Sequence, residues 1–243
     1  MASMKGERAR CVTGIEGLDG ILGGGIPVSN MVLVAGGPGT GKTTLAYEFL
    51  VRGALKGEKG ILVTTVESPE KLVANIPRFE FFDESLVKEG VLQILELGPL
   101  MEKAGIAQRV LDKEGCVRLG DVIEAIIANG RAKRIVIDSV NSPLYGVDDR
   151  SIGKVLLQRL SSAIYENECT GIVIADSPNV KGVQGVIADG LIVLGNHERR
   201  GEMLRTLQVV KMKGTSHSRS KYVIDLTSWG VLMSTLLKGG GVA

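Results

Sequence analysis

The chain has 243 residues, enough for one α/β domain with a sizeable core and short for two. Hydrophobic residues make up 44% and charged residues 23%, an ordinary soluble profile, and a net charge of +2 gives no bulk electrostatic case for nucleic acid or membrane. Aromatics are only 4%, few for a protein that grips single strands by base stacking. Three scattered cysteines, Cys11, Cys116 and Cys169, with no CxxC spacing, read as reduced thiols of a cytosolic protein. Two histidines argue against a His-based metal site. There is no signal peptide and no run of about 18 apolar residues.

Residues 1–12 read as an N-terminal tail, with Met1–Ser3 standing ahead of a second Met at position 4. Short β-branched runs then alternate with helical stretches. Met31–Ala35 (MVLVA) is a buried strand, and Thr43–Lys56 a helix that offers Leu45, Phe49, Val51 and Leu55 for packing and stops at Gly57. Gly60–Thr65 is a strand, Pro69–Ile76 a helix, Val91–Leu97 a strand, and Leu119–Ala128 a helix ended by Asn129-Gly130. Arg134–Asp138 (RIVID), apolar until its last residue, reads as a strand covered on both faces. Ile152–Glu166 is a helix and Gly171–Ala175 a strand. From Gly190 the pattern changes: Leu191–Leu194, Thr206–Met212 and Tyr222–Leu226 are strands with no long helix between them. The expected fold is α/β in a single domain, a mostly parallel central sheet flanked by helices with antiparallel edge strands at the C-terminal end.

Between the first of these strands and its helix lies GGPGTGKTT, that is Gly36, Gly37, Pro38, Gly39, Thr40, Gly41, Lys42, Thr43 and Thr44. Gly36, Gly41, Lys42 and Thr43 fit G-x-x-x-x-G-K-[ST], the P-loop pattern, in the strand-before, helix-after context it requires. Glycines let the loop wrap closely with its amide N–H groups inward, and the helix N-terminus adds the positive end of a dipole. Lys42 can reach the β- and γ-phosphates, and the Thr43 hydroxyl can sit on Mg²⁺. A metal-side acid is needed as well. Asp138 is the candidate, because ligands of open α/β sheets bind beyond the C-terminal ends of the strands. Ser139 beside it reads as structural.

Two further segments carry a resemblance. Thr13–Pro27 (TGIEGLDGILGGGIP) resembles the stretch that precedes the P-loop in the RecA/RadA superfamily. Gly214–His217 (GTSH), preceded by Lys211-Met212-Lys213, is similar to the strand-end motif of KaiC-type ATPases. The match covers essentially the whole chain and one KaiC domain rather than a tandem pair. It implies a RecA-like fold, ATP as ligand, and hexameric rings with ATP between subunits. Lys211 and Lys213, two apart, share a strand face by spacing alone. The resemblance has them reach the γ-phosphate of a neighbouring subunit's ATP. The family usually has Arg at the second position, so Lys213 offers a point charge where a planar fork would stand.

Hydrolysis needs a group that orients or deprotonates water. The resemblance places a Glu-Glu pair just after the second strand; here the two positions are Val66 and Glu67. The resemblance credits the first of the pair as the base, which Val66 is unable to be. Glu67 serves as base after a small backbone adjustment, or the site binds ATP and hydrolyses it slowly or not at all, or Glu67 simply caps the helix after Pro69. A second departure lies at Gly185–Asp189 (GVIAD), which offers no hydroxyl at the two places where clock-type KaiC autophosphorylates. No such autophosphorylation is expected there; Ser177 is the nearby position to test with labelled ATP. The loops at 139–151 and 178–190 mix Asp148, Asp149 and Asp189 with Arg150 and Lys181, and neither makes a basic stripe. A RadA-paralogue-like role on DNA stays an alternative, since ring assembly multiplies weak contacts. A nucleotide-dependent switch read by a protein partner is another. Phe79, Phe81 and Phe82 read as a core corner, with partner docking the alternative.

Overall fold

Short apolar strands and longer helices alternate through most of the chain, and the runs at 31–35, 60–64, 134–138 and 170–175 are too apolar to leave either face wet. The computed structural model describes residues 8–65, 68–75, 79–106, 113–139, 150–176 and 187–235. The chain opens with β1 (Arg10–Cys11), α1 (Leu18–Ile21) and β2 (Ile26–Pro27), then β3 (Met31–Ala35), α2 (Lys42–Ala54) and β4 (Gly60–Thr64). It continues through α3 (Pro69–Asn75), α4 (Ser85–Lys88), β5 (Leu92–Glu96), α5 (Leu97–Lys103) and α6 (Lys113–Gly130). Next come β6 (Arg134–Asp138), α7 (Arg150–Glu166) and β7 (Thr170–Ala175). The last elements are β8 (Gly190–Arg199), β9 (Glu202–Met212), β10 (Lys221–Thr227) and β11 (Gly230–Thr235).

Nine strands form one sheet in the order β11-β10-β9-β8-β3-β7-β6-β4-β5. From β8 to β5 the neighbours are parallel; β8 to β11 run antiparallel, forming the expected C-terminal edge. Side chains alternate across β3: Val32 and Val34 enter the core on the α2 face, and Met31, Leu33 and Ala35 enter the core under α6 and α7. This is why MVLVA carries no polar position. Leu45, Phe49 and Val51 of α2 are buried as expected, but Leu55 is 51% exposed. The helix stops at Ala54 with Leu55 as its C-cap, and Gly57 takes a positive φ of 80°. Phe81 is buried in the α2-side core, and Phe79 stacks on it at 5.2 Å, in keeping with a core corner.

The TGIEGLDG stretch wraps the base of this core. The Asp19 carboxylate accepts from Thr13 N at 2.8 Å, Thr13 Oγ1 at 2.8 Å and Gly14 N at 3.0 Å. Arg134, with no exposed surface, donates to Val12 O and Phe49 O, both at 2.7 Å, and pairs with Glu58 at 2.6 Å. Cys11, Cys116 and Cys169 are free and buried, and burial pushes the Cys169 thiol up to about 12. Among the described residues, no helix is long and apolar enough to cross a membrane.

Candidate nucleotide site

The parallel register carries the ends of β3, β7, β6 and β4 to one edge of the sheet: Ala35 pairs with Ala175, and Thr64 with Asp138. The glycine run leaves β3 at that edge. Gly36 is buried where a Cβ would stand 2.5 Å from Leu194 O of β8, so only glycine lets the loop pass under the β8–β9 hairpin. Gly41, at φ 97°, turns the loop into α2 and packs against Leu226 of β10. Inside the loop, Thr40 Oγ1 donates to Gly37 O at 2.8 Å. Pro38 and Gly39 are exposed at its crest, and Arg205 of β9 donates to Gly39 O at 3.1 Å. Thr44, half-buried, lies in the first turn of α2.

Lys42 opens α2 and is 7% exposed. Its ammonium donates to Gly37 O at 3.0 Å and faces Asp176 Oδ1 at 3.3 Å. Thr43, exposed, donates from Oγ1 to Asp138 Oδ2 at 2.9 Å. The glycine loop, a lysine and a hydroxyl–carboxylate pair are thereby gathered from the ends of β3 and β6 and the first turn of α2. A hydroxyl and a carboxylate in contact fit a hard cation that keeps waters and takes its other ligands from phosphate. Among the described residues no cluster of three or more His, Cys, Asp or Glu side chains could hold a metal.

Asp176 is the acid that sequence reading passed over. It directly follows the apolar run of β7, the same signal that singled out Asp138 after β6. Its Oδ2 accepts from Ser139 Oγ at 2.8 Å, and the peptide between Asp138 and Ser139 is cis. Ser139 therefore ties together the ends of β6 and β7. Val66, Glu67, Ser177 and the loops at 140–149 and 177–186 lie outside the described residues.

Lys211 and Lys213 stand at the other edge. Lys211 Nζ donates to Ala188 O at 2.6 Å, and Lys213, just past the end of β9, pairs with Asp189 Oδ1 at 2.9 Å. The second oxygen of Asp189 accepts from Met31 N, at the start of β3, at 3.1 Å. The glycine loop begins at the far end of that five-residue strand, roughly 17 Å away. Partial burial, with Lys213 alongside, holds the Lys211 ammonium below the ordinary lysine value, against the opposing charge of Asp189. The two lysines are brought together, as their spacing predicts, but not to the glycine loop of their own chain.

The KaiC ATPase family model matches residues 11–236. The chain belongs to the KaiC ATPase family. It is 35% identical over 235 residues to a UPF0273 protein of Thermotoga maritima, covering 92% of this chain and 95% of that one. It is 32% identical over 230 residues to the circadian clock oscillator protein KaiC of Synechococcus elongatus, covering 92% of this chain but 44% of that protein. Among solved structures, a KaiC-like protein of Pyrococcus horikoshii superposes with a TM-score of 0.79 at 30% identity, covering 93% of this chain and 99% of that one. The fold is RecA-like, and membership of the KaiC ATPase family implies nucleotide binding.

Proposed function

We propose that this KaiC-family chain is a Mg²⁺-dependent ATPase that works as a ring, hexameric by family likeness, with ATP at its subunit interfaces. The observation that carries this reading is the separation of the lysine pair from the socket. Lys42, Thr43 and the loop amides sit at one edge of the sheet, and Lys211 and Lys213 sit a strand's length away at the other. A lysine pair so placed serves a phosphate only on another copy.

Within one chain the roles follow from the donors. Amides of the Gly36–Thr44 loop, Pro38 apart, and the α2 N-terminus bind the phosphate chain, and Lys42 exchanges the Gly37 carbonyl for a phosphate oxygen. Thr43 and Asp138 would hold Mg²⁺, which supplies charge neutralisation at the β- and γ-oxygens when bound. Lys211 and Lys213 add positive charge from the neighbour as the transferring group becomes more anionic. Family likeness puts the water-handling Glu at the position of Val66, and Glu67 beside it reaches the water only after a backbone adjustment.

The test is steady-state ATP hydrolysis across a range of protein concentrations, with Lys42→Ala as the blank. A rate above the blank that rises more than linearly with protein is expected, because each site needs two chains. Rates strictly proportional to protein down to nanomolar levels would mean that no second chain takes part. Val66, at the place where the family likeness expects the first Glu, favours one other reading: a nucleotide-dependent switch that a protein partner reads, with little turnover. That reading expects tight ATP binding and no phosphate release.

A further inference from the structure

Asp176 directly follows β7, the strand lying between β3, which feeds the glycine loop, and β6, which carries Asp138. Its carboxylate is 51% exposed, so it is not a buried counter-ion walled off from the socket. Both of its oxygens are committed in a defined way. Oδ2 is held by the Ser139 hydroxyl at 2.8 Å, and Oδ1 faces the Lys42 ammonium at 3.3 Å.

An ammonium has three donors at tetrahedral angles. If one of them holds a γ-phosphate oxygen at about 2.8 Å while another still faces Asp176 at 3.3 Å, the two oxygens stand roughly 5 Å apart. A single water, making two hydrogen bonds of about 2.7 Å, spans roughly 4.5 Å. The gap between Asp176 and a bound γ-phosphate is therefore one water wide, and Lys42 sets its width.

We propose that Asp176 is the carboxylate that orients and deprotonates the attacking water in this chain, where Val66 has removed the first Glu of the family pair. The proposal rests on the ATPase reading above. The water oxygen bonds to the γ-phosphorus as its proton passes to Asp176, and the bond from phosphorus to the bridging oxygen breaks. ADP and phosphate leave, and the proton returns to solvent. Ser139 is a positioning residue: it fixes Oδ2 and so leaves Oδ1 turned to the water.

The test is D176N, assayed for ATP affinity by isothermal titration with Mg²⁺-ATP and for turnover at saturating ATP. The expected result is opposed: kcat falls at least 100-fold, in the range a general base supplies. ATP affinity stays within threefold or tightens, because Lys42 loses a competing anion. Damage to the fold would weaken both together. S139A, which keeps the carboxylate and frees one oxygen, is expected to lower kcat several-fold at unchanged affinity, and it decides the matter if D176N does not fold. A D176N protein with more than a third of wild-type kcat, or an S139A protein with unchanged kcat in the second case, would overturn the role of Asp176 and leave the ATPase reading standing. A wild-type chain that binds Mg²⁺-ATP and releases no phosphate would remove both.

Discussion

At the scale of single residues, Arg134 shows how much of the site depends on a group far from phosphate. It opens the strand that ends in Asp138, has no exposed surface, and spreads its fork over Val12 O, Phe49 O and Glu58 while its plane lies 4.7 Å from the Phe49 ring centre. Lysine carries the charge but not the planar fork, so it would leave buried carbonyls without donors. Arg134→Lys is expected to cost about 3 kcal/mol in urea denaturation, with the slope of the transition unchanged. Arg134 reads from sequence as an ordinary first residue of a strand; only the packing of α2 against β6 reveals it. The two acids were unequally legible for a similar reason. RIVID and GIVIAD both end an apolar strand with aspartate, yet an acid there is a cap or a turn until its neighbours are known. The P-loop supplied a role for Asp138, and nothing local supplied one for Asp176. Its meaning comes from β7 lying between β3 and β6, a long-range pairing that no motif encodes.

At the scale of elements, β8 runs on to Arg199, five residues past the Leu194 that the apolar run suggests, because its second half is polar and pairs only with β9. Strands β3, β4, β5, β6 and β7 were legible to within a residue or two. Helix α6 was not: it begins at Lys113, six residues before the start that the sequence suggests. Gly115 and Gly120 dilute its periodicity, and glycine ordinarily argues against a helix interior. Within the part that was legible, a Cβ on Gly120 would stand 2.5 Å from Arg159 Cβ of α7, so this glycine lets α6 and α7 approach. Gly120→Ala should accordingly destabilise by about 1–3 kcal/mol, although alanine is the better helix former. A thermal melt that rises instead would show that α7 can give way. Strand β11 was missed for another reason. It pairs with β10 through a turn in which Thr227 Oγ1 donates to Gly230 O at 3.0 Å, and its exposed Leu232 blurs the inside–outside alternation.

At the scale of the whole molecule, the sheet has a socket at one edge and a lysine pair at the other. In the proposed ring, a complete site takes its socket from one chain and its lysines from the next, a head-to-tail contact. Lys42→Ala and the double variant Lys211→Ala/Lys213→Ala should each be nearly inactive alone. Mixed in equal amounts and allowed to exchange, they should recover about a quarter of wild-type turnover, since one interface in four then joins an intact socket to intact lysines. Recovery that never exceeds the sum of the separate rates would mean that the lysines act elsewhere.

If the proposed ring forms, the same separation displaces cause from effect. A subunit whose Asp189 no longer holds Lys213 in place would keep its own socket whole and silence the one beside it. A subunit with a broken socket still serves its neighbour. In a mixed population, then, defective copies of the two kinds are not equivalent to an absent copy: each remains a working half, and each hands its fault, or its rescue, one place around the circle.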